Sequence, residues 1–380
     1  MAGVTGGLSL APRGDLILVL NSGSSSLKFG LYRPGADDEE PVLTGSADGI
    51  GRDDGILRIR SSDGATLEER VGIRETQGEA LNSIAEAVQE HAGRVPVCVG
   101  HRVVHGGPRL CSHQVITPQV LEQLGSAVHF APLHVPQALA LISAAQEIFP
   151  SATQFACFDT AFHQTIPEVA AHFPVPLRYF EAGVRRYGFH GISYESLVHH
   201  FGAKLPRRAI FAHLGNGASL CAVLDGKSID TTMGLTPTGG VPMGTRCGDL
   251  DPGVILYLLR SEKLDADGLE ELLNHESGLF GLSGGESDVK TLQERALAGD
   301  AAARLALEVF ARSVRKTIGA YAALLGGVDL VVFTGGIGEH SGEIRLAATE
   351  GLWITADEIQ VVPAEEEVQI ARHCREFLKK

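Results

Sequence analysis

Three short glycine-rich segments each follow an apolar run: Asn21–Ser26, His213–Gly217 and Thr334–His340. Phosphates are held by backbone N–H groups turned inward, and glycine or serine lets the chain come close enough to supply them. Lys28, just past the first segment, can add a positive charge. None of the three is a G-x-x-x-x-G-K-[ST] loop, and none is a G-x-G-x-x-G fingerprint in βαβ context. Two arginines sit among glycines, Arg102 in GHRVVHGG (100–107) and Arg246 in MGTRCGDLDPG (243–253). A guanidinium fork in such a place suits a carboxylate or a phosphate. Asp159, in FDTAFH, follows an apolar run where a carboxylate often meets a ligand or metal, and His190, in RRYGFHGISYE, can donate to an anionic oxygen. A single glycine segment is as readily an ordinary turn, a single arginine a surface ion pair, a single histidine a hydrogen-bonded core residue. Three glycine loops, each at a strand end, favour nucleotide binding.

The elements that must position these residues are legible in outline. Residues 16–32 read as strand, tight turn and returning strand, and 209–224 repeat that pattern, which suggests two similar halves. Between the hairpins, helices are expected over 79–91 and 136–147, and strands over 97–104 and 153–158. This alternation points to an α/β architecture. Residues 304–325 carry apolar side chains every three or four positions and end at Gly326, the pattern of a helix and its stop. Over 329–345 a buried strand, a glycine loop and a helix are expected. The domain boundary is placed near residue 157, where the first alternation is complete.

Composition narrows the function classes. With 380 residues, 44% of them hydrophobic and 21% charged, the chain can build sizeable cores and is not disordered. Its net charge of −14 (32 basic against 46 acidic residues) argues against nucleic acid and anionic membranes as partners. No signal peptide is read at the N-terminus, and no apolar stretch reaches the roughly 18 residues of a membrane span. The six cysteines are scattered without a C-x-x-C pair, as thiols of a reducing compartment would be, so a cytoplasmic protein is expected.

Taken together, these motifs resemble the acetate and propionate kinase family, within the superfamily of sugar kinases, heat-shock chaperones and actin. LVLNSGSSSLKFGLY, GHRVVHGG, APLH (131–134), FDTAFH, YGFHG (187–191), HLGNG (213–217), MGTRCGDLDPG and FTGGIGE (333–339) occur in the family's order and span residues 18–339. The resemblance implies an α/β fold of two ribonuclease-H-like (actin-like ATPase) domains with an interdomain active-site cleft. It assigns 13–157 plus 362–380 to the N-terminal domain and 158–361 to the C-terminal one. The implied reaction is ATP + acetate ⇌ ADP + acetyl phosphate, with Mg2+ or Mn2+, in a cytoplasmic homodimer.

The same resemblance implies roles for individual residues. Asp159, His190 and Arg246 match catalytic residues. Arg102, Val104, Leu133, His134, Phe189 and Pro237 match the acetate site, the apolar four of them forming a pocket for the methyl group. Ser24, Ser26 and Lys28, then His213, Leu214, Gly215, Asn216 and Gly217, match nucleotide contacts. So do Asp288, Val289 and Lys290, and Gly336, Ile337, Gly338, Glu339 and His340. Asn21 and Glu366, the latter in PAEEEVQIAR (363–372), match metal ligands. The chain departs from the family in two places: Lys290 stands where an arginine is usual near the adenosine, and Val135 where an asparagine usually follows His134. Lysine is not equivalent to arginine at a stacked or bidentate site, so nucleotide choice is open at this point. The competing readings are a propionate kinase of the same family and, from another class, a non-metabolic ATP-driven conformational protein.

Overall fold

A computed structural model of the chain describes residues 15–379, apart from 24, 37, 73 and 133. Ser24 and Leu133 of the expected site therefore lie outside the described residues. The first apolar run and the run after the serine turn form an antiparallel hairpin, β1 (Ile17–Ser22) and β2 (Ser26–Pro34), with Asn21 opposite Lys28. Ile17 to Leu20 are wholly buried, with helices or strands on every side, so β1 reads as a continuous apolar run rather than an alternating one. The meander continues through β3 (Glu39–Asp48), β4 (Ile56–Ser61) and β5 (Thr66–Val71). On its other side β1 pairs in parallel with β6 (Cys98–Val103). With β7 (Gln114–Val115) and β8 (Thr153–Phe158) the sheet order is β5-β4-β3-β2-β1-β6-β8-β7.

The second sheet opens with the second hairpin, β9 (Arg208–Leu214) and β10 (Ala218–Leu224), followed by β11 (Lys227–Thr231). β9 then pairs in parallel with β12 (Leu330–Thr334), and β12 with β13 (Ile359–Val361), giving β11-β10-β9-β12-β13. Without β4, β5 and β7, the first sheet reads β3-β2-β1-β6-β8, the same order with the same strand directions. The two hairpins are thus the equivalent opening elements of two like-built α/β halves. Asn21 and His213 are each the penultimate residue of their half's first strand.

Helices form where expected, at Gln77–Ala92, Val135–Ile148 and Ala301–Leu325. The last is capped by Asp300, whose carboxylate accepts from the Ala302 and Ala303 N–H groups, and is stopped by left-handed Gly326. Two expectations need correction. β3 to β5 were not anticipated, because their outward residues are charged and β5 has no buried residue to mark a face. The glycine segment after β12 is not a loop: Gly335–His340 is itself a short helix, followed at once by another at Gly342–Thr349.

The helix Glu366–Leu378 returns to the first sheet, where Ile370, Ala371 and Cys374 pack with Ile17, Val19 and Cys98. Arg375 pairs with Glu39 at 2.9 Å, both side chains being less than 10% exposed, and Arg372 pairs with Asp38. Gly100 on β6 is what lets the helix sit so close. A methyl there would lie 2.6 Å from Ile370 Cγ2 and 2.8 Å from Cys374 Sγ. Gly100→Ala should therefore lower unfolding free energy by about 1–3 kcal/mol, the usual cost of overpacking, as read from urea denaturation.

Three buried histidines act on stability through pH. His101 bonds Gln154, His105 accepts from the Gly107 N–H, and His163 bridges Ser228 and the Phe189 carbonyl. Burial pushes each down to about 4 from an ordinary 6.5. Between those values the unfolded chain binds more protons than the folded one, so stability must fall as the pH drops through that window. The urea midpoint should decline steadily between about pH 6.5 and 5, well above the carboxylate range, and His101→Gln should flatten that slope. A midpoint independent of pH over this range would contradict the assignment.

Candidate active site

A cleft of about 1010 Å³ opens between the two sheets, with walls from both halves of the chain. Its floor on the first side is a relay of side chains set at strand ends. Arg102, near the end of β6, sits beside β8 with Cys157 as its register partner, so its side chain reaches Asp159 just beyond that strand. The pair is bidentate: Arg102 Nε lies 3.0 Å and Nη2 2.6 Å from Asp159 Oδ2. Arg102 Nη1 donates to Asn21 Oδ1 at 3.0 Å, and the Asn21 amide donates in turn to Glu366 at 3.0 Å and Glu367 at 2.7 Å. Burial works against the charge on Arg102, but Asp159 and Glu366 outweigh it and hold the guanidinium above its ordinary value. Burial also opposes ionisation of Glu366, yet Arg102, His213 and the Asn21 amide keep its carboxyl below the usual range.

The second side presents Arg246 and His190. Arg246 donates to the Pro237 carbonyl at 3.2 Å and, among the described residues, forms no salt bridge. Burial, and next to it the charge of Arg102, pull its pKa down from the ordinary value. His190 has a left-handed backbone (φ 59°), uncommon for a residue with a side chain, and begins the helix Gly191–Phe201. Gly191 beside it donates to the Asp159 carbonyl at 2.8 Å, in space that a Cβ would fill at 2.2 Å. The two halves therefore meet closely where Asp159 and His190 sit. A methyl on Gly217 would lie 3.3 Å from His190 Nε2 and 3.6 Å from Arg246 Nη1. Glycine at 217 keeps the space between these two nitrogens clear of a side chain. His213 stacks on His190, with ring centroids 4.2 Å apart.

Most of the expected residues line this cleft. Asn21, Ser26, Lys28, Arg102, Val104, His134, Asp159, Phe189, His190, His213, Gly215, Asn216, Gly217, Pro237 and Arg246 do so, as do Asp288, Val289, Lys290, Gly336, Ile337, Glu339, His340 and Glu366. Leu214 and Gly338 do not reach the wall: Leu214 is fully buried in the second core, and Gly338 packs on Phe333. His134 is pushed down to about 4, first by burial and then by Arg246 and Arg102, so it faces the cleft neutral. Asp288 caps the helix Val289–Leu297, accepting from the Thr291 N–H, while Lys290 is exposed on its first turn. Sequence reasoning missed Glu367, Gln293, Ser341 and Ala364, which also line the cleft. The signals were slight: Gln293 is one helical turn past Lys290, and Glu367 follows Glu366 in a run that reads as a solvated helix start.

Val104, Phe189 and Pro237 are apolar residues of the cleft wall, Pro237 through its carbonyl in contact with Arg246 and Phe189 almost fully buried. The carboxylate oxygens of Glu366 and Glu367 meet at the Asn21 NH2 group, whose Oδ1 accepts from Arg102, and these two carboxylates are hard-oxygen donors of the kind that fit a divalent cation such as Mg2+ or Mn2+. Among the described residues no helix is long and apolar enough to cross a membrane.

Comparison with known proteins places the chain in a family. Residues 16–372 match the acetokinase family. Acetate kinase of Methylocella silvestris is 40% identical over 94% of this chain and 96% of its own. That of Deinococcus radiodurans is 44% identical over 86% of this chain and 83% of its own. Among solved structures, acetate kinase of Porphyromonas gingivalis superposes with a TM-score of 0.84 at 33% identity, covering 96% of this chain and 100% of that one. A propionate kinase of Francisella tularensis gives 0.85, also at 33%, covering 94% and 98%. The chain belongs to the acetokinase family, with its two-domain actin-like ATPase fold.

Proposed function

We infer that the chain is an acetate kinase, transferring the terminal phosphoryl group of ATP reversibly and directly to acetate to give acetyl phosphate and ADP. The observation that carries this reading is Arg246: a half-buried guanidinium that forms no salt bridge among the described residues, facing His190 Nε2 across Gly217 in a cleft whose wall also carries apolar Val104, Phe189 and Pro237. Such a cation is matched to a group whose negative charge arrives with the substrate. A carboxylate needs no base to become a nucleophile. That agrees with Asp159 being spent on Arg102, where it orients the fork, rather than standing free to take a proton. Arg102, held by Asp159 through Nε and Nη2 and bonded to Asn21 through Nη1, would offer its remaining N–H groups to the carboxylate of acetate. Rate then comes from alignment and from positive groups aimed at the transferring phosphoryl oxygens. Asn21 and Glu366, with Glu367 beside them, would hold the divalent cation, which supplies charge neutralisation on the nucleotide phosphates. The propionate kinase alternative is supported by a structural relative of that name.

We also propose that the domains divide at 157/158, with 362–380 rejoining the first, and that the enzyme is a cytoplasmic homodimer. The helix Pro252–Ser261 supports a dimer: it has no buried residue, and Val254, Leu256, Tyr257 and Leu259 are exposed on it beside Leu250.

Incubation with Mg-ATP and acetate, followed by hydroxylamine trapping of acyl phosphate, tests the function; no trapped product would reject it. Arg246→Ala should lower kcat by about 10²–10³ with Mg-ATP affinity little changed, because charge is spread most widely in the transition state. A near-wild-type rate would remove Arg246 from that role. Val104→Ala should raise kcat/KM for propionate relative to acetate by about tenfold, the worth of a methylene in a close-fitting pocket. An unaltered ratio in a folded, active variant would take Val104 out of the pocket wall.

A further inference from the structure

The helix that starts at His190 carries Tyr194 one turn on, wholly buried. Its hydroxyl lies 2.5 Å from Ser219 Oγ, and Ser219 Oγ lies 2.9 Å from His190 Nδ1. Ser219 is placed for this by β10, where it pairs with His213 on β9. The direction of the two hydrogen bonds follows from counting protons. A phenol has one proton, and among the described residues the hydrogen-bond partner of this buried hydroxyl is Ser219 Oγ, so its proton has an acceptor only there, and a buried donor left without one is costly. The phenol proton therefore goes to Ser219 Oγ. The serine's own proton then goes to His190 Nδ1, which accepts and carries none. In a neutral imidazole the ring proton must then sit on Nε2, the nitrogen turned toward Gly217 and the open cleft.

We propose that Tyr194 and Ser219 are positioning residues that lock His190 in the Nε2–H tautomer, so that it presents a neutral donor to the transferring phosphoryl group. The inference rests on the acetate kinase reading. The opposite tautomer would turn a lone pair on an anionic oxygen, and the ring would repel what it is placed to hold. Burial, reinforced by His213, Arg102 and Arg246, pushes His190 well below the ordinary histidine range, so a doubly protonated ring does not relieve the choice. Neutrality also limits the positive charge already gathered in the cleft by the two arginines.

Nitrogen-15 spectroscopy of the imidazoles in the full-length, ligand-free protein reads the tautomer directly. The wild type should show His190 protonated at Nε2 and unprotonated at Nδ1, and Ser219→Ala should show a mixture. In the acetate reaction Ser219→Ala should lower kcat by about tenfold or more while KM for Mg-ATP stays within about twofold, the signature of a donor that acts mainly on the transition state. Tyr194→Phe leaves the serine in place but unordered, and should give an intermediate loss of kcat. A wild-type ring protonated at Nδ1 overturns the proposal, as does a Ser219→Ala protein with unchanged tautomer and kcat. If Ser219→Ala does not fold, the wild-type spectrum and Tyr194→Phe decide the matter. The tautomer measurement is independent of the acetate kinase reading, whose failure would appear separately as no acyl phosphate from the wild type.

Discussion

Arg102 and Arg246 face one half-buried cleft, and each adds to the electrostatic strain on the other. Two like charges in a poorly hydrated space are costly unless something answers them. The chain answers one: Asp159 takes the inner edge of Arg102, and Asn21, Glu366 and Glu367 extend that network across the cleft floor. It leaves the other unanswered. The surroundings follow from that asymmetry. The histidines at 134, 190 and 213 are held toward their neutral forms, first by burial and further by the positive charge of Arg102. Glycines at 215 and 217 keep the space beside them clear. The site is thus preorganised for an incoming anion, with its donors already in place and little reorganisation required when charge shifts.

What the sequence disclosed was the part written in short runs. Arg102, Asp159, His190 and Arg246 each sit in a motif whose glycines or flanking apolar runs mark a strand end, and all four line the cleft. The hairpins at β1/β2 and β9/β10 were legible because buried strands read as apolar runs broken by small residues. β4 and β5 were not: β4 alternates buried Leu57 and Ile59 with arginines over only six residues, and β5, at the sheet edge, is mostly threonine, glutamate and arginine with no buried residue. Tyr194 and Ser219 were invisible for a different reason. Their meaning lies in a register between β9 and β10 and in one helical turn from His190, relations that chain spacing of 25 to 29 residues does not express.

The left-handed backbone at His190 ties these observations together. A residue with a side chain adopts that conformation at a cost of about 1–3 kcal/mol, and it persists only where the surroundings over-determine it. Here Gly191 is pinned to the Asp159 carbonyl, Ser219 holds one ring nitrogen, and His213 stacks on the face. The ring can be aimed only if the bend is kept.

The return of Glu366–Leu378 to the first sheet bears on how the protein comes into being. That helix covers β1 and β6, and it delivers Glu366 and Glu367 to Asn21, 345 and 346 residues away along the chain. During synthesis the first sheet's strands are made first, yet the face they present to this helix stays bare until Glu366–Leu378 has left the ribosome. The second half, whose strands run from 208 to 361, has its own sheet complete before then. The second sheet's strands are thus in hand before the first sheet is covered, and a chain lacking Glu366–Leu378 is left with both an uncovered core and half a cleft floor.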